Sequence, residues 1–244
     1  MSETAGRSGV ALVARTRDVL AGLVEGADGQ LLRGTVPIAD TLVPHETRRA
    51  ARFRSPDDRR DYLAGHLLVR RAAARLLPPG SPPVRLVQRC ASCGEDGHGR
   101  PSADDHPALH LSLSHARGAV AAAAAWSPVG VDIEPRVRPV PTTESLWAAT
   151  MSAAEQDGLR TSDDPSGDFL RLWVRKEALV KIGAVSLDRL SDVDLSAVPL
   201  RGTPGTGSPH QWGDHVLVDW SDDEHVAAVA AAGPVRLEVL RAGR

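Results

Sequence analysis

Apolar and polar residues along this chain follow two periods that mark out its elements. Apolar positions three and four apart predict a long helix over residues 59–77, entered through Ser55-Pro-Asp-Asp58 and stopped by Pro78-Pro-Gly80. A second such helix, capped by Asp168 and closed by Gly183, carries Trp173-Val-Arg-Lys176-Glu177-Ala-Leu-Val-Lys181. A shorter helix is expected over 44–53, and Ser152-Ala-Ala-Glu155 has capping-box spacing. Alternation or short apolar runs predict strands at 36–38, 84–88, 119–126, 129–134, 193–195, 216–220, 226–231 and 235–240. Gly, Pro and polar clusters mark a loop over 94–107, a connector over 135–141, a linker over 161–167 and a flexible turn over 203–209. The first thirty or so residues mix short apolar pieces with Gly and polar residues, and their start is expected to fray.

At 42% hydrophobic and 25% charged, the 244 residues read as globular, between one large domain and two small ones. A net charge of −2 argues against broad nucleic-acid binding. No apolar run approaches the roughly 18 residues of a membrane span, and Met1 to Gly9 lacks the apolar core of a signal peptide. The expected location is cytoplasmic, with no membrane partner.

Charge usage sharpens this picture. Of the 29 basic residues only two are lysine, Lys176 and Lys181, both on the second helix. Lysine is a point charge on a flexible stem and arginine a planar fork, so the two are not interchangeable where geometry matters. The plainer reading is an i,i+4 pair of Glu177 with Lys181, worth about 0.2–0.5 kcal/mol. Upstream, Val129-Gly-Val-Asp132-Ile-Glu134 alternates, which puts Asp132 and Glu134 on one face of a strand. Two carboxylates so placed repel unless a cation lies between them, and Mg²⁺ is commonly held by one or two carboxylates plus phosphates and water. The apolar run Ala119 to Trp126 is expected to pair with this strand and set it well inside a sheet.

Cys90-Ala-Ser-Cys93 and His98 offer three zinc ligands close together, with His106 or His110 as a fourth. Reduced loop thiols are the favoured reading and zinc the second.

Three ordered blocks, Ser112-Leu-Ser114-His115, Gly130-Val-Asp132-Ile-Glu134 and Trp173 to Lys181, resemble the signatures of the 4'-phosphopantetheinyl transferases, of the long, surfactin-synthetase-activating (Sfp) type. Gly99-Arg100-Pro101 stands where that family has Gly-Lys-Pro, and the likeness runs from about Arg49 to about Leu187. It implies an α+β fold of two similar α/β halves related by a pseudo-twofold axis, with a cofactor cleft between them. The halves would be 1–127 and 128–244, the second carrying the metal and catalytic motifs. The helices holding Tyr62 and Phe169 form a faint internal repeat that suits this plan.

The implied reaction moves the phosphopantetheine arm of coenzyme A to a serine of an acyl or peptidyl carrier protein and releases adenosine 3',5'-bisphosphate. Such carriers serve fatty acid, polyketide or nonribosomal peptide synthesis. Asp132, Glu134 and Glu177 match the family's ligands for Mg²⁺, with Mn²⁺ as a substitute. Glu177, Lys181 and Asp132 would be catalytic, Glu177 or a metal-bound water taking the serine proton and Lys181 neutralising the pyrophosphate. Arg49, Arg100, Ser112, Ser114 and His115, together with Asp132, Glu177 and Lys181, would bind coenzyme A, and the chain would act as a monomer. Lys176 points about 100° from Glu177 around the helix, which suits an internal pair. His66 stands where many relatives have an arginine or another polar residue and is assigned no role. After Lys181 this chain reads Ile-Gly183-Ala-Val-Ser-Leu187 in place of a glycine-rich turn, which leaves carrier preference open. The alternatives are a metal-dependent phosphohydrolase acting on coenzyme A and a non-catalytic relative that binds coenzyme A or a carrier.

Overall fold

The computed structural model of the protein describes residues 8–25, 31–33, 36–37, 42–90, 93–136, 143–200 and 205–242. Its first half runs through β1 (Gly9–Arg15), α1 (Thr16–Val19), β2 (Leu23–Glu25), β3 (Leu31–Arg33), β4 (Val36–Pro37), α2 (Pro44–Ala50) and α3 (Pro56–Ala74). Strands β5 (Leu86–Arg89), β6 (Asp96–Ala103), β7 (His110–Ala116) and β8 (Ala119–Ala125) follow. The second half holds β9 (Val129–Pro135), α4 (Glu144–Thr150), α5 (Ala153–Thr161), α6 (Pro165–Ile182) and a 3-10 turn at Leu187–Asp192. It ends with β10 (Gly205–Thr206), β11 (His210–Trp212), β12 (His215–Ser221), β13 (His225–Ala231) and β14 (Val235–Leu240).

These elements form a mixed α+β fold with two main sheets. The first has the order β14-β1-β8-β7-β6-β5, the second β10-β12-β13-β9 with β11 alongside β12, and β2, β3 and β4 make a small third sheet. Burial explains the layering. Along β8, Val120, Ala122 and Ala124 pack with α3, whereas Ala119, Ala121, Ala123 and Ala125 pack with Val131, Ile133 and Val229 of the second sheet. A strand covered on both faces reads as a continuous apolar run, and alanine keeps both layers close. On the far side of the second sheet, Ala178, Leu179 and Ile182 of α6 pack with Leu217 and Ala230. The order is therefore helix, sheet, sheet, helix.

Four expectations need correction. The first is that 129–134 pairs with the alanine run: β8 pairs β1 and β7, while β9 is the edge strand of the other sheet, paired with β13. It is buried because β7 and β8 lie across its apolar face and α6 across its polar one. Second, the loose N-terminal region contains a central strand, β1, parallel to β14 and antiparallel to β8. Its run Val10-Ala-Leu-Val13 is too short to be told apart from other apolar pieces until both neighbours are known. Third, residues 94–107 contain β6, whose Gly and Pro sit beside a register shift at Gln88/Arg89. Fourth, 193–195 is not a strand, and α6 starts a turn earlier than expected, with Asp164 as N-cap accepting from the Gly167 N–H at 3.0 Å.

Other readings hold. Ser55 caps α3, the Ser152/Glu155 capping box opens α5, and Gly183 closes α6 at φ 78°. The connector expected over 135–141 and the turn over 203–209 fall partly outside the described residues.

Candidate active site

The junction of β9 and α6 is set by a glycine. A Cβ on Gly130 would stand 2.2 Å from the carbonyl oxygen of Ala178 and 3.0 Å from Lys181 Cβ, so only glycine lets the helix lie this close to the strand. Two residues on, with the same facing, comes Asp132, and α6 contributes Glu177 and Lys181 one turn apart. The free edge of β9 is occupied by side chains. Val131 N–H donates to Ser112 Oγ at 3.0 Å, and Val131 C=O accepts from Lys181 Nζ at 2.9 Å.

Asp132 is buried and held from one side. Its Oδ1 accepts from Lys181 Nζ at 2.7 Å and from Ser114 Oγ at 2.8 Å, while Oδ2 is buried with no hydrogen-bond partner. Glu177 is half-buried, and burial pushes its carboxyl above the usual range, helped by the charge of Asp132 and opposed by Lys181. Two carboxylates therefore share one site, and the charge of Asp132 disfavours charge on Glu177.

Glu134 and Pro135 at the end of β9 line a cavity of about 570 Å³ together with Phe53, Asp58, Asp61 and His115 from the first half. The His115 ring stands edge-on to Tyr62 at 6.3 Å and is held below the ordinary histidine value, first by burial and then by the charges of His66 and Lys181. Arg49 is exposed on α2, its charge felt by Tyr62. Arg100 on β6 reaches Val129 O at 3.5 Å, at the limit of a hydrogen bond. Ser112, unlike these, is 3% exposed and turned to β9.

Other prominent residues of the motif are structural. Lys176 is fully buried, its ammonium within hydrogen-bond distance of Glu155 Oε2 at 2.6 Å and of the carbonyls of Thr150, Leu190 and Val193 at 2.8–2.9 Å. Glu155 is thus both the capping-box acid of α5 and the counter-ion of the lysine. Arg175 is likewise buried, bound to Asp219 and to the carbonyls of Val198 and Pro199. In the first half, His66 and Arg70 enclose Glu46 in a buried cluster. What sequence reasoning missed was the shape of the acid site. Ser114 and Gly130 define it, and the period of two through 112–114 and 130–134 was the available signal.

Among the described residues, no three His, Cys, Asp or Glu side chains stand together as a metal-binding group. Cys90 and Cys93 form no disulfide, and the His98 side chain lies outside the described residues. His106 donates its backbone N–H to the Ala103 carbonyl, and His110 on β7 pairs with Ser102 of β6. The acid pair is a different matter. Asp132 and Glu177 match a hard divalent cation, which takes one or two carboxylates beside phosphates and water, and the unpartnered Oδ2 is a donor atom free for it.

Comparison with known proteins agrees with this geometry. Residues 128–230 match the model of the 4'-phosphopantetheinyl transferase superfamily (ACPS). The chain is 29% identical to 4'-phosphopantetheinyl transferase HetI of Nostoc sp., over 80% of this chain and 81% of that one. It is 30% identical to 4'-phosphopantetheinyl transferase psf-1 of Bacillus pumilus over 58% of each chain. It is also 26% identical to 4'-phosphopantetheinyl transferase Sfp of Bacillus subtilis over 57% of this chain and 59% of that one. The matched segment is the one that brings Asp132, Glu177 and Lys181 together, so the similarity to the 4'-phosphopantetheinyl transferase superfamily rests on the site itself.

Proposed function

We propose that the protein transfers the 4'-phosphopantetheine arm of coenzyme A to a serine of an acyl or peptidyl carrier protein, as a holo-carrier synthase of the Sfp type. The observation that carries this reading is the β9–α6 site, with a buried, unpartnered Asp132 Oδ2, a Glu177 of raised pKa and a lysine point charge within one junction. The division at 127/128 belongs to the same reading. The cavity shared by His115 and Glu134 would be the cleft between the halves, although β14 returns to the first sheet.

Asp132 and Glu177 would hold Mg²⁺, with Glu134 nearby at the cavity wall. A bound divalent ion supplies charge neutralisation on the pyrophosphate. The chain's own groups do the rest. Glu177, its carboxyl raised above the usual range by burial, accepts the proton of the carrier serine. The serine oxygen forms a bond to the β-phosphorus while the bond to the adenosine 3',5'-bisphosphate oxygen breaks, and Lys181 stays beside the charge that develops. His115, Arg49 and Arg100 would face the remaining phosphates.

The test is incubation with an apo carrier protein, coenzyme A and Mg²⁺, followed by intact mass. Gain of one phosphopantetheine on one serine supports the reading. A carrier that stays apo while coenzyme A is cleaved favours a phosphohydrolase, and one that stays apo with coenzyme A bound but intact favours a non-catalytic relative. Among the described residues no helix is long and apolar enough to cross a membrane.

A further inference from the structure

Asp132 is loaded asymmetrically. Two donors, Ser114 Oγ and Lys181 Nζ, converge on Oδ1, and Oδ2 has none. On the same face of β7, Ser112 takes the Val131 N–H, and Lys181 takes the Val131 carbonyl. Both backbone polar atoms of Val131 on the free edge of β9 and the Asp132 carboxylate beside it are therefore held by the serines of β7 and the lysine of α6. Sequence resemblance had assigned both serines to the phosphates of coenzyme A. Their hydrogen bonds point elsewhere. The one proton of the Ser114 hydroxyl is donated to a carboxylate, leaving none for a phosphate oxygen. Ser112 is buried under β9.

We infer that Ser114, supported by Ser112, is a positioning residue for the metal-binding carboxylate and not a contact to coenzyme A. Saturating Oδ1 stops the carboxylate from rotating and presents Oδ2 as the atom left for a divalent cation, as hydrogen-bonded partners of metal ligands generally do. His115, the next residue on β7, points the other way and lines the cavity. This rests on the reading given under Proposed function.

The test compares the parent with Ser114→Ala and Ser114→Thr, the latter keeping the hydroxyl. Mn²⁺ binding to the protein alone is followed by electron paramagnetic resonance, and adenosine 3',5'-bisphosphate binding is followed by calorimetry in chelator. Ser114→Ala should weaken Mn²⁺ binding about tenfold or more and raise the metal concentration for half-maximal transfer equally. Binding of the metal-free bisphosphate should stay within twofold, and Ser114→Thr should recover Mn²⁺ binding. Unchanged Mn²⁺ affinity in a folded Ser114→Ala, or weakened metal-free bisphosphate binding, overturns the inference. A parent protein that binds no Mn²⁺ overturns the metal reading itself.

Discussion

Gly130 and Ala178 meet so closely that a Cβ on the glycine would lie 2.2 Å from the alanine carbonyl oxygen. The strand carrying Asp132 and the helix carrying Glu177 and Lys181 are brought together by this contact. Gly130→Ala must push α6 outward, at about the 1–3 kcal/mol typical of overpacking. Its melting temperature should fall, and transfer should fall by more than the loss of folded protein explains.

Lys181 and Lys176 sit in one helix and should behave oppositely. Lys181 is partly exposed and bonded to Asp132 and Val131, so Lys181→Ala should cost little stability but about 10²–10³-fold in turnover, the usual effect of removing a charge-stabilising donor. Lys181→Arg should also lose turnover, because a planar fork cannot fill the place of a point charge. Wild-type kinetics in Lys181→Arg would remove lysine from the mechanism.

Lys176→Ala leaves Glu155 buried without its counter-ion and removes the ammonium from three carbonyls. Breaking such a pair costs about 3–5 kcal/mol. Chemical denaturation should show that loss, with near-normal turnover per folded molecule below the transition.

Glu177 sets the pH behaviour of the site. Its carboxyl is raised above the ordinary 4.5 by burial and by Asp132, so the acid limb of metal-limited transfer should lie above 4.5. A raised carboxyl binds its proton more tightly when folded, so its contribution to stability is present at low pH and is lost as pH rises through the folded value. Glu177→Gln should therefore melt no lower than the parent at pH 7 while losing transfer. A lower melting point there contradicts the assignment.

Glu46 shifts the other way. Burial alone would raise it, but hydrogen bonds from His66 and Arg70 prevail and hold it at about 2. A depressed carboxyl contributes stability above its unfolded value of about 4.5, and that contribution is lost as pH falls toward 2. The span corresponds to roughly 3 kcal/mol. The acid slope of unfolding free energy should flatten in Glu46→Gln, whatever the variant's stability at pH 7.

By itself the sequence determined the long helices, most late strands and the residues of the acid site, because helix caps, periods and motif spacing are local properties. Ser55, Glu155 and Gly183 act at their helix ends through neighbours no more than a few residues away, and Asp132 and Glu134 share a face by the pleat alone. Only the tertiary structure decided what those residues meet. β9 became an edge strand of the second sheet, because β8 bonds to its hairpin neighbour β7 on one side and to β1, far from it in the chain, on the other. Lys176 and Lys181 are five positions apart, about 140° around the helix, so one faces α5 and the other faces β9. The hydroxyls of Ser112 and Ser114 turned toward β9 for the same reason. Which donor reaches which acceptor depends on the layers packed beside a strand, and no local pattern encodes that.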